Sequence, residues 1–135
     1  MKLVFADSQY YIGILHPRDQ WHRHAVDAAN SLPNSKYITT EAVLGEVLAF
    51  FSDFGPDVRV NAAEAVQMIL SDVSTEVLTV TSNMFREALA LYKDRPDKSY
   101  SLTDCTSMNV CRERGITDVL SHDRHFSQEG LSVLM

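Results

Sequence analysis

The 135-residue sequence has no apolar run long enough to span a bilayer as a helix. Its start, Met1-Lys2-Leu3-Val4-Phe5-Ala6-Asp7, meets an acid too soon for a secretory signal. With neither feature present, the expected location is cytoplasmic. Cysteine is scarce, with only Cys105 and Cys111. Six positions apart on one predicted helix, their side chains diverge in direction and height, which excludes a disulfide between them. They are expected to be reduced core thiols. Basic residues are also few: Lys and Arg total 12 against 18 Asp and Glu, a formal net charge of -6. That sign argues against tight nonspecific nucleic-acid binding, which draws on Lys and Arg. There is no repeat, linker or low-complexity tract, so residues 1–135 are expected to form a single domain.

What is present is an ordinary globular composition, 45% apolar and 22% charged. Short apolar runs at Lys2–Ala6 and Lys36–Thr39, a Val/Thr-rich run at Glu76–Val80, and Asp118–Ser121 predict strands, with a fifth at Leu131–Leu134. Helices are expected over Ser8–Leu15, Asp19–Leu32, Thr40–Asp53, Asp57–Leu70, Ser82–Tyr92 and Ser101–Arg114. Inward faces are assigned to Trp21, Ala25, Ala28 and Leu32 in the second helix, and to Val43, Val47 and Phe50 in the third. Phe51 and Phe54 are assigned to the outside. Ser101-Leu102-Thr103-Asp104 has the form of a capping box, and Gly115 closes that helix. Strands alternating with helices predict an α/β fold with a mainly parallel sheet of four to five strands.

Four acids stand out. Asp7 and Asp123 end apolar runs, and ligands of parallel sheets collect beyond the carboxyl ends of strands. Asp104 lies in the first turn of its helix, where the helix dipole favours an anion. Glu46 falls on the apolar side of its helix, where a carboxylate needs a partner, a proton or a metal. Taken singly, each has a simpler explanation: Asp7 and Asp104 as caps, Asp123 as a turn residue, Glu46 as half of a core ion pair. Brought together they form a hard oxygen site suited to Mg²⁺ or Mn²⁺. Such a site favours metal-dependent hydrolysis of phosphate esters by water. It also concentrates the negative charge where bound cations would offset it.

The chain resembles a PIN domain, most closely the small single-domain VapC-type toxins. The resemblance rests on Val4-Phe5-Ala6-Asp7-Ser8, Thr39-Thr40-Glu41-Ala42-Val43-Leu44-Gly45-Glu46-Val47-Leu48, Ser101-Leu102-Thr103-Asp104-Cys105 and Leu120-Ser121-His122-Asp123-Arg124-His125-Phe126. It covers nearly the whole chain. It implies a three-layer α/β/α fold and an endoribonuclease dependent on Mg²⁺ or Mn²⁺. Asp7, Glu46, Asp104 and Asp123 would be its catalytic, metal-binding acids. Ser8, following the first acid, would help to orient it. Arg124 and His125, beside the last acid, are the candidate substrate contacts. An RNA substrate, a small antitoxin partner and a homodimer are implied as well.

Two rivals are weighed. A non-catalytic module binding RNA or a partner protein would not need all four acids. A phosphatase using an aspartyl nucleophile would want a second Asp where Gln9 stands. A zinc site from His22, His24, His122, His125 and Cys105 is disfavoured, because His22 and His24 point in different directions on a helix.

Overall fold

The computed structural model describes residues 1–135. In chain order the elements are β1 (Lys2–Ala6), α1 (Ser8–Leu15), α2 (His22–Asn30), β2 (Ser35–Thr40), α3 (Glu41–Phe51) and α4 (Pro56–Ser71). They continue with β3 (Thr75–Leu78), α5 (Ser82–Asp94), α6 (Leu102–Arg114), β4 (Asp118–Leu120), α7 (Arg124–Gln128) and β5 (Ser132–Val133). No helix is long and apolar enough to cross a membrane.

The five strands form one sheet in the order β3-β2-β1-β4-β5, and every pairing is parallel. Parallel pairing forces each connection over a face of the sheet, and such crossovers are right-handed. Progress from β1 to β2 to β3 therefore lays α1–α4 on one face. The return from β3 to β4 and on to β5 lays α5–α7 on the other. The contacts agree: α1 packs on α2 and α3, and α3 on α4, while α6 packs on α5 and α7. The direction of travel reverses between β1 and β4, so the sheet has its switch point there, with Asp7 at its lip.

β1 is the centre of the core. Val4, Phe5 and Ala6 are fully buried, as are Ile38, Val119 and Leu120 on the neighbouring strands. Both cysteines are buried and unpaired, as the helix spacing required. Three assigned faces change. Asp19 does not start α2. Its carboxylate accepts the Trp21 N–H at 2.9 Å in a tight turn, and the helix begins at His22. Trp21 stands outside the core cluster, half-buried. On α3, Phe51 is buried and Phe50 is 39% exposed, the reverse of the expected arrangement. Leu44 is buried beside Val43 and Val47, and this turns the inward stripe of α3 toward Phe51.

Gly13 lets α1 and α2 approach closely. A Cβ there would lie 3.1 Å from Ala25 Cβ and 3.4 Å from the Trp21 carbonyl oxygen. Ala25 is fully buried and has no free rotamer to yield. Gly13→Ala is therefore expected to destabilise the fold by about 1 kcal/mol despite the better helix propensity of Ala. Urea unfolding measures this, and a gain in stability would show that α2 shifts freely.

Candidate active site

Asp7 follows β1 directly and occupies the N-cap position of α1, yet its side chain caps nothing. Only 3% of the residue is exposed. One carboxylate oxygen lies 2.9 Å from the Ser121 hydroxyl, which stands 3.0 Å from Gln9 Oε1. The same hydroxyl accepts the Asp123 N–H at 3.0 Å, and Gln9 Oε1 accepts the His122 N–H at 3.3 Å. Ser121 thus fastens the end of β4 to the end of β1. Burial pushes the Asp7 carboxyl up to about 7, the Ser121 and Ser8 hydrogen bonds hold it down in part, and Asp104 and Glu46 push it further up.

Asp104 sits in the first turn of α6, and the expected capping box is formed. Ser101 Oγ accepts the Asp104 N–H at 3.0 Å, and Asp104 Oδ2 accepts the Ser101 N–H at 3.1 Å. Asp123 is the N-cap of α7, where its Oδ1 accepts the His125 N–H at 2.9 Å. The His125 ring then lies between the two acids, with Nδ1 3.0 Å from Asp104 Oδ2 and 3.3 Å from Asp123 Oδ1. Both partners can only accept when ionised, so Nδ1 carries a proton in this arrangement. Tyr100 packs edge-on against His125, with ring centroids 5.3 Å apart. Its hydroxyl donates to Glu129, which also holds Arg95.

Glu46 comes from α3, half-buried. Desolvation raises its carboxyl pKa. The Ser8 and Thr103 hydroxyls lower it, while the charges of Asp104 and Asp123 raise it further. The four acids thus bear on one another electrostatically, although α1, α3, α6 and α7 each start from a different strand end or loop. Mutual repulsion among partly buried carboxylates is what a cation would relieve. The ligand atoms of Asp104, Asp123 and His125 all lie within 4.8 Å of one another. The donor set is mostly hard oxygen with one imidazole, which suits Mg²⁺ or Mn²⁺.

The residues expected to touch substrate divide. His125 stands inside the acid cluster. Ser8 is buried next to Asp7 and helps to hold the Asp7 and Glu46 carboxyls down. Arg124 is exposed at the start of α7. Asp97 is 72% exposed beside Lys98. The sequence reading gave no role to Gln9 or Thr103, and it did not give Ser121 the task of joining the two strands. The signal for Ser121 was its place next to a strand-end acid. Nothing local marked Gln9, since its contact spans 112 positions. An apolar hollow of about 250 Å³ lined by His16, Phe51 and Phe54 contains none of the four acids.

No family model and no curated protein matches the sequence. The fold does have solved neighbours. Mycobacterium tuberculosis VapC20, a toxin that cleaves the sarcin-ricin loop, superposes with a TM-score of 0.83 at 26% identity, over 95% of each chain. The chain has the fold of a VapC-type PIN domain. VapBC2 of Rickettsia felis, solved on a DNA fragment from its promoter, shares that fold with a TM-score of 0.70. It is 10% identical, over 97% of this chain and 96% of that one. In this PIN-like fold Asp104, Asp123 and His125 cluster near the switch point of the sheet, where a ligand of a parallel α/β fold is expected.

Proposed function

We propose that this PIN domain is an endoribonuclease dependent on Mg²⁺ or Mn²⁺ and is the toxin of a toxin–antitoxin pair. One observation carries the reading: Asp104, Asp123 and His125 converge at the strand ends of a fold shared with a ribonuclease toxin. Asp104 and Asp123 would hold the cation, with Asp7 and Glu46 completing the acidic shell. The ion would lower the pKa of a bound water and orient it for in-line attack on phosphorus. The chain's own part is positional. Ser121 fixes Asp7 against β4, the capping box fixes Asp104, and the His125 N–H fixes Asp123. No side-chain nucleophile is needed.

An antitoxin is the proposed protein partner, in line with the VapBC complex among the structural neighbours. A homodimer is part of the same reading. Phe85, Leu89 and Tyr92 lie 48–53% exposed at helical spacing along α5, an apolar stripe without a partner in the monomer. A cytoplasmic site of action completes it.

The test is cleavage of a cellular RNA preparation with Mn²⁺, Mg²⁺ or EDTA. Cleavage is expected to require the metal. Asp104→Asn is expected to lose about 100-fold or more in rate, equivalent to ~3 kcal/mol. The Asn side-chain oxygen still accepts the Ser101 N–H, so the fold is retained. Full activity in Asp104→Asn would overturn the assignment. A folded wild type that binds Mn²⁺ but cleaves nothing would move the chain to the binding-module reading.

A further inference from the structure

The single tryptophan does not serve the core. Trp21 stands at the N-cap of α2, where Ser, Thr, Asp or Asn would satisfy a free N–H and Trp does not. Its own N–H is tied to Asp19, so its backbone is held in place. The indole stacks on His122, with ring centroids 4.1 Å apart and an interplanar angle of 12°. Every other aromatic contact in the molecule is tilted or edge-on, with angles from 43° to 89°. Both stacked rings are half-buried, and Trp21 is absent from the core cluster and from the side chains packed against it. His122 lies between Ser121, which holds Asp7, and Asp123. Its N–H is fixed by Gln9. A helix cap has been given up for a flat, partly open aromatic pair beside the acids, and such departures from local preference mark functional sites.

We propose that Trp21 and His122 form a stacking platform for an unpaired RNA base next to the carboxylate centre. The proposal rests on the ribonuclease reading above and adds a substrate subsite to it. Single-stranded RNA is read by stacking its bases on aromatic planes. The platform suits a base and not a phosphate, because the Asp19 carboxylate holds the Trp21 N–H at 2.9 Å and Asp123 adjoins His122. In a chain with a net charge of -6, base stacking supplies affinity that backbone electrostatics do not.

Because Trp21 is the only tryptophan, the platform reports on itself. Asp104→Asn protein is titrated with short oligoadenylate and with an abasic ribose-phosphate oligomer, while labelled RNA measures affinity independently by anisotropy. Oligoadenylate is expected to quench Trp21 emission and the abasic oligomer to leave it unchanged. Trp21→Ala is expected to weaken oligoadenylate binding about tenfold or more, and Trp21→Phe much less. His122→Ala, which leaves the indole in place, is expected to weaken it to an intermediate degree. Mn²⁺ affinity, measured with Asp104 intact, should be unaltered in all three variants. RNA that binds without quenching, and equally well to Trp21→Ala, overturns the platform and leaves the ribonuclease reading standing. Loss of Mn²⁺ affinity in Trp21→Ala overturns it too, since the pair would then only prop up Asp123. If wild type neither binds nor cleaves RNA, the ribonuclease reading fails and the platform with it.

Discussion

Asp7→Asn is expected to leave the metal-free protein more stable and catalytically dead. Burial holds the Asp7 carboxyl at about 7 in the folded state, against an ordinary value of 3.8. Between those values the folded chain binds a proton that the unfolded chain has released. Stability therefore falls as pH rises from about 4 to about 7, and levels off above. The full cost of ionising Asp7 by pH 8 is at most about 4 kcal/mol. An Asn in its place resembles the protonated acid. Its amide donates to Ser121 Oγ, whose own proton then goes to Gln9 Oε1, at 3.0 Å. Melting curves in EDTA across this window should slope downward for wild type and lie nearly flat for Asp7→Asn. At pH 8 the variant should melt several degrees higher, about 2–8 °C per kcal/mol recovered. Mn²⁺ should close the gap by stabilising only wild type, and more so at higher pH, since its ligands bind deprotonated. Equal slopes for the two proteins would show that Asp7 is ionised without cost and would remove the argument for a cation there.

Phe126→Ala is expected to cost about 3–5 kcal/mol and to abolish cleavage without altering any acid. Phe126 is fully buried and is the only buried residue of α7, a helix of five residues. A helix that short does not persist on its own hydrogen bonds. It exists because the Phe126 ring anchors it, and it carries both Asp123 at its cap and His125 in its first turn. The loss is a large share of a domain's total of about 5–15 kcal/mol. Phe126→Leu should recover most of the stability and most of the activity, by keeping an apolar anchor of most of the volume. Urea midpoints and Mn²⁺ affinity, measured together, decide the matter. A destabilised Phe126→Ala protein that keeps normal Mn²⁺ affinity would show that Asp123 is held by the His125 N–H alone.

The parts of this molecule legible in its sequence are those that local rules specify. Strand ends, the capping box of Asp104 and the αL glycine at Gly115 all lie within a few residues of their cause. That places Asp7, Asp104 and Asp123 before any fold is known. Helix faces were harder. On α3, Phe50 and Phe51 are adjacent and equally apolar, and only the partner surface, α1 and α4, selects Phe51. The helix α7 is too short to show a period, so its start at Arg124 was invisible. The Trp21–His122 stack joins positions 101 apart and depends on a turn set by Asp19. Side-chain bonds across such distances, like that of Gln9 to Ser121, follow from the sheet order and not from any neighbourhood in sequence.

The pairing of β1 with β4 also has a consequence for synthesis. Phe5 lies beside Val119 and Ala6 beside Leu120, so β1 waits for β4, more than a hundred residues later. Contacts this distant form late, and a chain emerging from the ribosome folds from its N-terminal side onward. While residues 118–133 are still in the exit tunnel, Asp7 has no Ser121 to hold it, and neither Asp123 nor His125 has been placed. The nascent chain therefore carries no assembled acid cluster until β4 and α7 have emerged and packed against β1.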